Sequence, residues 1–367
     1  MRISEEKNRE SGAEGKRGAG KKRHAAALCF LLAFLLLNRF LSFALEPFHG
    51  SSEEMWRGFR AKPELTMVYA GSSQCIAGID PSVIDGKLGS VSYNMGTNMQ
   101  SFRNSRTAIE AAAARYSIRC AVLVLDDELL GTERYENFRA EASFARGKAV
   151  TAGFPERIAG DAAFVTDPTF AGKPISLNYF FPWVYNRSMD VRRNIKEKLA
   201  GRPLSEEGRR DANGYVHTEE VMVPDAHYVT PEDAAEWDRG HSLEELRLLP
   251  GNRRELRRIA AFCRERGIRL VAVCPPYPNY LTVYTAKSYA AMQEELGALF
   301  AEYGFPYYNF NLVKPEYYVS ELSHYQDNGH MNSAGAAAFS AFLAELLERE
   351  DAKEMFHALT VAESGGA

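Results

Sequence analysis

Leu65-Thr66-Met67-Val68-Tyr69-Ala70-Gly71-Ser72-Ser73-Gln74 decides the fold of this 367-residue chain. An apolar run that stops at a glycine and two serines reads as a buried strand delivering a hydroxyl at a sharp turn. Outward from it, Val91–Met95, Cys120–Leu125, Arg269–Cys274 and Pro306–Phe310 have the same character. Thr107–Tyr116, Arg253–Arg266, Ala286–Tyr303 and Ala334–Glu350 have helical composition, the last with Asn332 or Ser333 as its cap. Strands alternating with helices predict an α/β domain over residues 63–350, a three-layer flavodoxin-like sandwich around a central parallel sheet. Such sheets hold their sites at the carboxyl ends of the strands, where Ser72 and Ser73 fall.

Near the far end stands Asp327-Asn328-Gly329-His330, just before the last predicted helix. A serine hydroxyl needs an imidazole to take its proton, and the imidazole needs a carboxylate to fix its tautomer and stabilise its cation. Ser73, His330 and Asp327 supply the three parts. A Gly-Ser-Ser turn or an Asp-x-x-His pair alone is more often an ordinary turn or a capping pair. Their order relative to the strands is what makes them candidates together.

These residues resemble the SGNH/GDSL hydrolase superfamily, in its membrane-anchored bacterial branch that includes the D-alanine-transfer protein of teichoic acid modification and alginate-type O-acetyltransferases. The resemblance runs from Leu65 to about Arg106 and from about Asn252 to Glu348. The family's Gly-Asp-Ser corresponds to Gly71-Ser72-Ser73, with serine in place of aspartate and Ser73 rather than Ser72 as nucleophile. Its Asp-x-x-His falls on Asp327 and His330. Its oxyanion glycine resembles Gly96 within Tyr93–Ser101. The third block, Gly-x-Asn-Asp, is absent: Asp126-Asp127-Glu128 follows the third strand, so the asparagine donor is missing, with Gln100 or Asn98 as a replacement amide.

The resemblance implies an exported, membrane-tethered serine esterase or O-acyltransferase with Ser73, Gly96, Asn98 and Gln100 on the oxyanion or substrate side. It would move acetyl or D-alanyl groups on a cell-envelope polymer or glycan, beside a multispanning membrane acyltransferase. The alternative is a non-catalytic polymer-binding or scaffold subunit. No metal-ligand pattern, phosphate loop or dinucleotide fingerprint stands in the sequence, so no cofactor is expected.

Composition sets the setting. A net charge of −4 argues against nucleic acid as a partner. Residues 1–24 hold Arg2, Lys7, Arg9, Lys16, Arg17, Lys21, Lys22 and Arg23, a basic leader expected in the cytoplasm. Residues 25–45 then form an apolar segment, either a transmembrane anchor with Arg39 at the outer interface or a signal peptide cut after Ser42-Phe43-Ala44. Both export the domain. Residues 46–62 read as a linker and 351–367 as a frayed tail.

The interval of about 128–249 breaks the α/β rhythm and is expected to be an insertion with its own elements, including a helix over Met189–Leu199. Its aromatic stretch Asn178–Tyr185 reads as packing onto the main sheet, with stacking on sugar rings as the other possibility. Cys29, Cys75, Cys120, Cys263 and Cys274 lack the close pairing of a metal or disulfide scaffold and read as mostly buried thiols. Cys274-Pro275-Pro276-Tyr277-Pro278-Asn279-Tyr280 leaves the fourth strand on the edge that carries Ser73, as a loop beside the site or a stiff strand exit.

Overall fold

The computed structural model describes residues 2–48, 51–201, 210–222, 248–277, 286–327 and 329–357. The chain divides into two compact units, residues 1–48 with 177–204, and residues 49–176 with 205–367.

In the larger unit the helices are α2 (Ser51–Ala61), α3 (Ser73–Gly78), α4 (Pro81–Leu88), α5 (Phe102–Arg115), α6 (Asp127–Leu130), α7 (Phe138–Val150), α8 (Phe154–Val165), α11 (Pro250–Arg266), α12 (Ala286–Glu302) and α13 (Ser333–Glu348). The strands are β1 (Met67–Ala70), β2 (Ser92–Asn94), β3 (Cys120–Val124), β4 (Arg269–Cys274) and β5 (Tyr307–Asn309). They pair in the order β2-β1-β3-β4-β5, all parallel, with Met67 opposite both Ser92 and Cys120. This is a doubly wound order whose direction of winding reverses between β1 and β3, the place where such sheets leave a crevice.

β1, β3 and, after the exposed Arg269, β4 are buried on both faces, which is why their sequences are near-continuous apolar runs. Val68, Ala70, Ala121, Leu123, Leu270 and Ala272 enter one core with the apolar faces of α2, α5, α11 and α12. Met67, Tyr69, Val122, Val124, Val271 and Val273 enter a second core with Ile84 of α4 and with Phe339, Phe342 and Leu343 of α13. The alternation of neighbours between two cores is the period-two geometry of a strand. A parallel sheet with a packed layer on either side is thus established.

Three expectations are corrected. The stretch 46–62 is more than a connector, because α2 drives Met55, Trp56 and Phe59 into the first core. The end is not wholly a frayed tail: Ala352 and Met355 are buried, Phe356 pairs with Val313 in an antiparallel bridge, and Lys314 N–H donates to Met355 C=O. Residues 358–367 lie outside the described residues. The aromatic stretch 178–185 does not join the main sheet. It belongs to the smaller unit, where Phe181 meets Phe34 edge-on and Trp183 Nε1 donates to Asn38 Oδ1 at 2.7 Å. The part-buried indole N–H needs an acceptor, and Asn38 supplies it from the apolar run.

The smaller unit is built on α1 (Arg2–Leu45), one continuous helix in which Lys22–Leu45 is long and apolar enough to cross a membrane. Its companions are α9 (Pro182–Tyr185) and α10 (Val191–Ala200). A helix end leaves its last four carbonyls without partners. Here α10 and the turn before it meet them: Lys198 Nζ donates to Ser42 O and Phe43 O, Asn194 Nδ2 to Ala44 O and Leu45 O, and Ser188 N–H to Leu45 O. The Lys198 charge also matches the negative end of the helix dipole. The stretch 128–249, expected as one insertion, is divided between the units: α6, α7 and α8 lie in the larger and α9 and α10 in the smaller, while residues 202–209 and 223–247 lie outside the described residues.

Candidate active site

Ser73 is the first residue of α3, directly after β1 and Gly71-Ser72. The turn is tight because Gly71 packs against β3: a Cβ there would lie 2.6 Å from Val124 Cβ and 2.9 Å from Val124 O. Ser72 caps the helix, its Oγ accepting Gln74 N–H at 3.3 Å. The opposite half comes from the turn before α13. Tyr325 and Met331 form an antiparallel bridge, Gln326 N–H donates to His330 C=O, and Asp327 and His330 are carried side by side on the turn between them. Asn332 caps α13 through Gly335 N–H, and Gly335 is obligatory because a Cβ there would meet His324 O at 2.2 Å.

These two halves, 257 residues apart, meet in hydrogen-bonding geometry. His330 Nε2 lies 2.8 Å from Ser73 Oγ, and His330 Nδ1 lies 2.9 Å from both Asp327 oxygens. Asp327 Oδ1 also accepts Gly329 N–H and His330 N–H, each at 2.8 Å. Burial alone would raise the Asp327 carboxyl, but the His330 bond and these N–H groups outweigh it and hold it below the usual carboxylate range. The Asp327 hydrogen bond raises the His330 imidazole above its ordinary value against the opposing pull of burial; Asp126 and Glu128 add to the rise. Chemically, the set can pass a proton from Ser73 to His330 while Asp327 stabilises the cation formed.

The oxyanion side differs from expectation. The Gly96 N–H is engaged, donating to Asn94 Oδ1 at 3.0 Å, and the neighbouring Met95 and Thr97 N–H groups are spent on Tyr69 O and Gly71 O. Gln100 is buried, its Nε2 donating to Ser105 Oγ and its carbonyl accepting from Thr97 Oγ1. It therefore braces the loop rather than offering a free amide. Asn98 is exposed, and its side chain has no hydrogen-bond partner among the described residues. It precedes Met99, whose φ of 50° lies in the left-handed region that a side chain disfavours. The Ser73 N–H, at the first helical position, likewise has no acceptor among the described residues.

Three groups here were not recognised from the sequence. Asp126, directly after β3, accepts Ser72 Oγ–H at 2.6 Å across the β1–β3 crevice and caps α6 through Glu128 N–H; its burial raises its carboxyl. Asn94 is fully buried at the end of β2, donating to Cys75 O and Ile79 O while accepting from Gly96. Arg210 donates to Gly96 O at 2.6 Å and Gly214 O at 2.7 Å, bracing the Gly96 loop from outside. The same segment continues to Thr218, which exchanges bonds with Ser333, and to Met222, whose N–H donates to Tyr325 O. It thereby ties the loop beside Ser73 to the turn that carries His330. A polar residue closing an apolar strand was a usable signal for Asn94; Arg210 had no local one.

Cys75, Cys120, Cys263 and Cys274 are buried free thiols, and Cys75 Sγ sits 3.3 Å from Asn94 Oδ1 with its pKa pushed up by burial. Beyond β4, Asn311 accepts Tyr277 N–H and donates to Pro275 O, fixing the start of the proline loop; residues 278–280 lie outside the described residues. No family model matches this chain, and no curated protein matches it.

Proposed function

We propose that the chain is a membrane-tethered serine esterase or O-acyltransferase of the SGNH type, with Ser73 as nucleophile, His330 as general base and acid, and Asp327 as the group that orients His330. The observation that carries the reading is the 2.8 Å Ser73 Oγ to His330 Nε2 contact continued by the 2.9 Å His330 Nδ1 to Asp327 contact. Separate loops converge on that linear order, the order needed for proton transfer.

The steps follow from it. Ser73 Oγ attacks an ester carbonyl as His330 Nε2 takes its proton, and the carbonyl oxygen becomes an oxyanion. Collapse breaks the ester C–O bond, and the leaving alkoxide takes the proton from His330. Water or a sugar hydroxyl then gives a proton to His330 and attacks the acyl-serine, and Ser73 regains its proton as the acyl group leaves. Around Gly71–Thr97 and among the described residues, the Ser73 N–H is the backbone donor left without an acceptor for the oxyanion to use; Gly96 joins only by giving up Asn94. The substrate proposed is an acetyl or D-alanyl ester of an envelope polymer, on the outer side of a membrane that α1 crosses with its basic leader inside, next to a multispanning acyltransferase.

Two features favour the second reading, a non-catalytic polymer-binding or scaffold subunit: the Gly96 N–H is occupied, and the stretch where the resemblance expects an asparagine donor holds Asp126, an acceptor bonded to Ser72. Fluorophosphonate labelling of the full chain in detergent, read by mass spectrometry, separates the two. Modification of Ser73 that vanishes in Ser73→Ala and His330→Ala but survives Ser72→Ala supports the enzyme. An unlabelled Ser73 in a folded protein refutes it.

A further inference from the structure

Away from Ser73, helices α5, α7 and α8 line an open cavity of about 470 Å³. Its space exists because the facing positions are small: Ala145 and Ala149 on α7, Ala159, Gly160 and Ala163 on α8. Four cations, Arg60, Arg103, Arg134 and Lys148, also line it.

The charges do not close among themselves. Arg134 pairs with Glu141 at 2.6 Å and with Asp167 at 3.2 Å, and Arg103 pairs with Asp167 at 3.1 Å, so two guanidiniums share two carboxylates. The third carboxylate, Glu156, is 70% exposed and stands 3.8 Å from Arg60. Lys148 has no hydrogen bond or ion pair among the described residues. Its ammonium lies 5.6 Å from the Trp56 ring centroid, and the Arg60 guanidinium lies 6.0 Å from the same centroid. Burial, then repulsion by Arg60, lowers the Lys148 pKa. Beside them Trp56 Nε1 is buried with no acceptor. A half-buried ammonium beside a second cation has only the longer-range attraction of Glu110 and Glu156 and no direct ion pair among the described residues, so retaining it costs stability unless an anion arrives.

We propose that this cavity binds a small amphiphilic organic anion, its carboxylate or phosphate head held by Lys148 and Arg60 and its apolar part lying along the Ala and Gly walls of α7 and α8. The head satisfies the unpaired charge. The walls offer a tail an apolar surface, covered at Ala149 and open to solvent at Ala159 and Ala163. The chemistry is shared by a free acyl anion and by a lipid headgroup, and the inference is independent of what Ser73 does.

The test is calorimetric titration of the full chain in phosphatidylcholine nanodiscs with octyl phosphate, octanoate, octanol and inorganic phosphate, each below its micelle concentration. The octyl anions are expected to bind at least about tenfold more tightly than octanol or inorganic phosphate, since charge and tail each contribute. Lys148→Met removes the charge at nearly constant volume and should weaken octyl phosphate by about tenfold or more, while Lys148→Arg keeps binding within about threefold. Lys148→Met should unfold at the same or a higher temperature than the parent without ligand, which separates lost binding from lost folding. Repeating the titration in discs containing phosphatidylglycerol identifies the source: competition marks a lipid headgroup, and its absence a free anion, both within the proposal. Octanol matching octanoate, inorganic phosphate matching octyl phosphate, unchanged binding in Lys148→Met, or no heat from folded protein at millimolar ligand would each overturn it.

Discussion

Replacing Ser72 by aspartate, the residue that the resemblance places at this position, is expected to destabilise the chain in a pH-dependent way. The Ser72 hydroxyl donates to Asp126 Oδ2 at 2.6 Å, and both side chains are almost fully buried. A carboxylate at 72 would replace that donor with a second negative charge. At about 4 Å and an effective dielectric of about 20, two unit charges repel by about 4 kcal/mol. Taking up a proton limits the cost: holding one carboxyl neutral at pH 7, about three units above its ordinary pKa, also costs about 4 kcal/mol. Ser72→Ala loses one donor to a buried carboxylate, worth about 1–3 kcal/mol, together with the long 3.3 Å cap on Gln74 N–H that an aspartate would keep. The excess of Ser72→Asp over Ser72→Ala should therefore reach about 2 kcal/mol at pH 8 and shrink towards pH 5, because the raised pKa of the pair lets one proton bind as pH falls. Ser72→Asp with Asp126→Asn restores a donor opposite the carboxylate and should recover at least about 2 kcal/mol of the sum of the single defects. Reversible urea unfolding of the parent, Ser72→Asp, Ser72→Ala, Asp126→Asn and the double variant at pH 5 and pH 8 measures this. Equal midpoints for Ser72→Asp and Ser72→Ala at both pH values would refute the reasoning.

Other outcomes follow from the same geometry. Since His330 is raised above its ordinary value and must be neutral to accept a proton, the rate of Ser73 labelling should fall on the acid side with an apparent pKa above about 6.5. Asp327→Asn should move that limb to lower pH and cut the rate by about 10³–10⁴-fold, both read from inactivation rates across pH. Arg210→Met should slow labelling by about tenfold with little change in the acid limb, and Arg210→Lys should recover part of it, because Gly96 O and Gly214 O lose their donor while His330 keeps its partners. Gly71→Ala should cost about 1–3 kcal/mol in urea unfolding, forced by contact with Val124, whereas Gly153→Ala, with open space at its Cβ, should change stability by under about 0.5 kcal/mol.

The strands were legible because burial on both faces leaves a continuous apolar run, and β1, β3 and β4 fall where those runs stand. Their short ends were not: Leu65 and Thr66 precede β1, and Thr66 N–H bonds to Val91 O outside the regular ladder. Helix α5 begins at Phe102 rather than Thr107, since Arg103-Asn104-Ser105-Arg106 reads as a polar loop until the Ser101 cap and the buried Phe102 are seen. Helix α2 carried a usable signal, Met55, Trp56 and Phe59 on one side of a helical turn, which the polar residues around them obscured. Ser73, Asp327 and His330 were legible as chemistry because the two motifs are local. The pairing of Ser72 with Asp126, the hold of Asn94 on Gly96, and the brace by Arg210 join segments between 2 and 114 residues apart, and apart from the Asn94 turn no local pattern encodes them.

The arrangement around Gly96 ties the two readings of the site to one hydrogen bond. Asn94 Oδ1 holds the Gly96 N–H at 3.0 Å and accepts a weaker bond from Cys75 Sγ at 3.3 Å, so giving up Gly96 would not leave it orphaned. A ground-state ester carbonyl offers the Gly96 N–H a bond no better than the amide oxygen it already has, and the exchange gains nothing. An oxyanion offers a charge-assisted bond about twice as strong. The exchange would then be favourable only as charge develops, which is the differential binding that lowers a barrier rather than tightening a substrate complex. The same bond, left unbroken, would leave the oxyanion without the Gly96 N–H and with the Ser73 N–H alone among the donors described at this loop, and the site would be poor at turnover. The distinction between enzyme and binding subunit therefore lies in whether the Asn94–Gly96 contact yields, while Ser73, His330 and Asp327 are common to both.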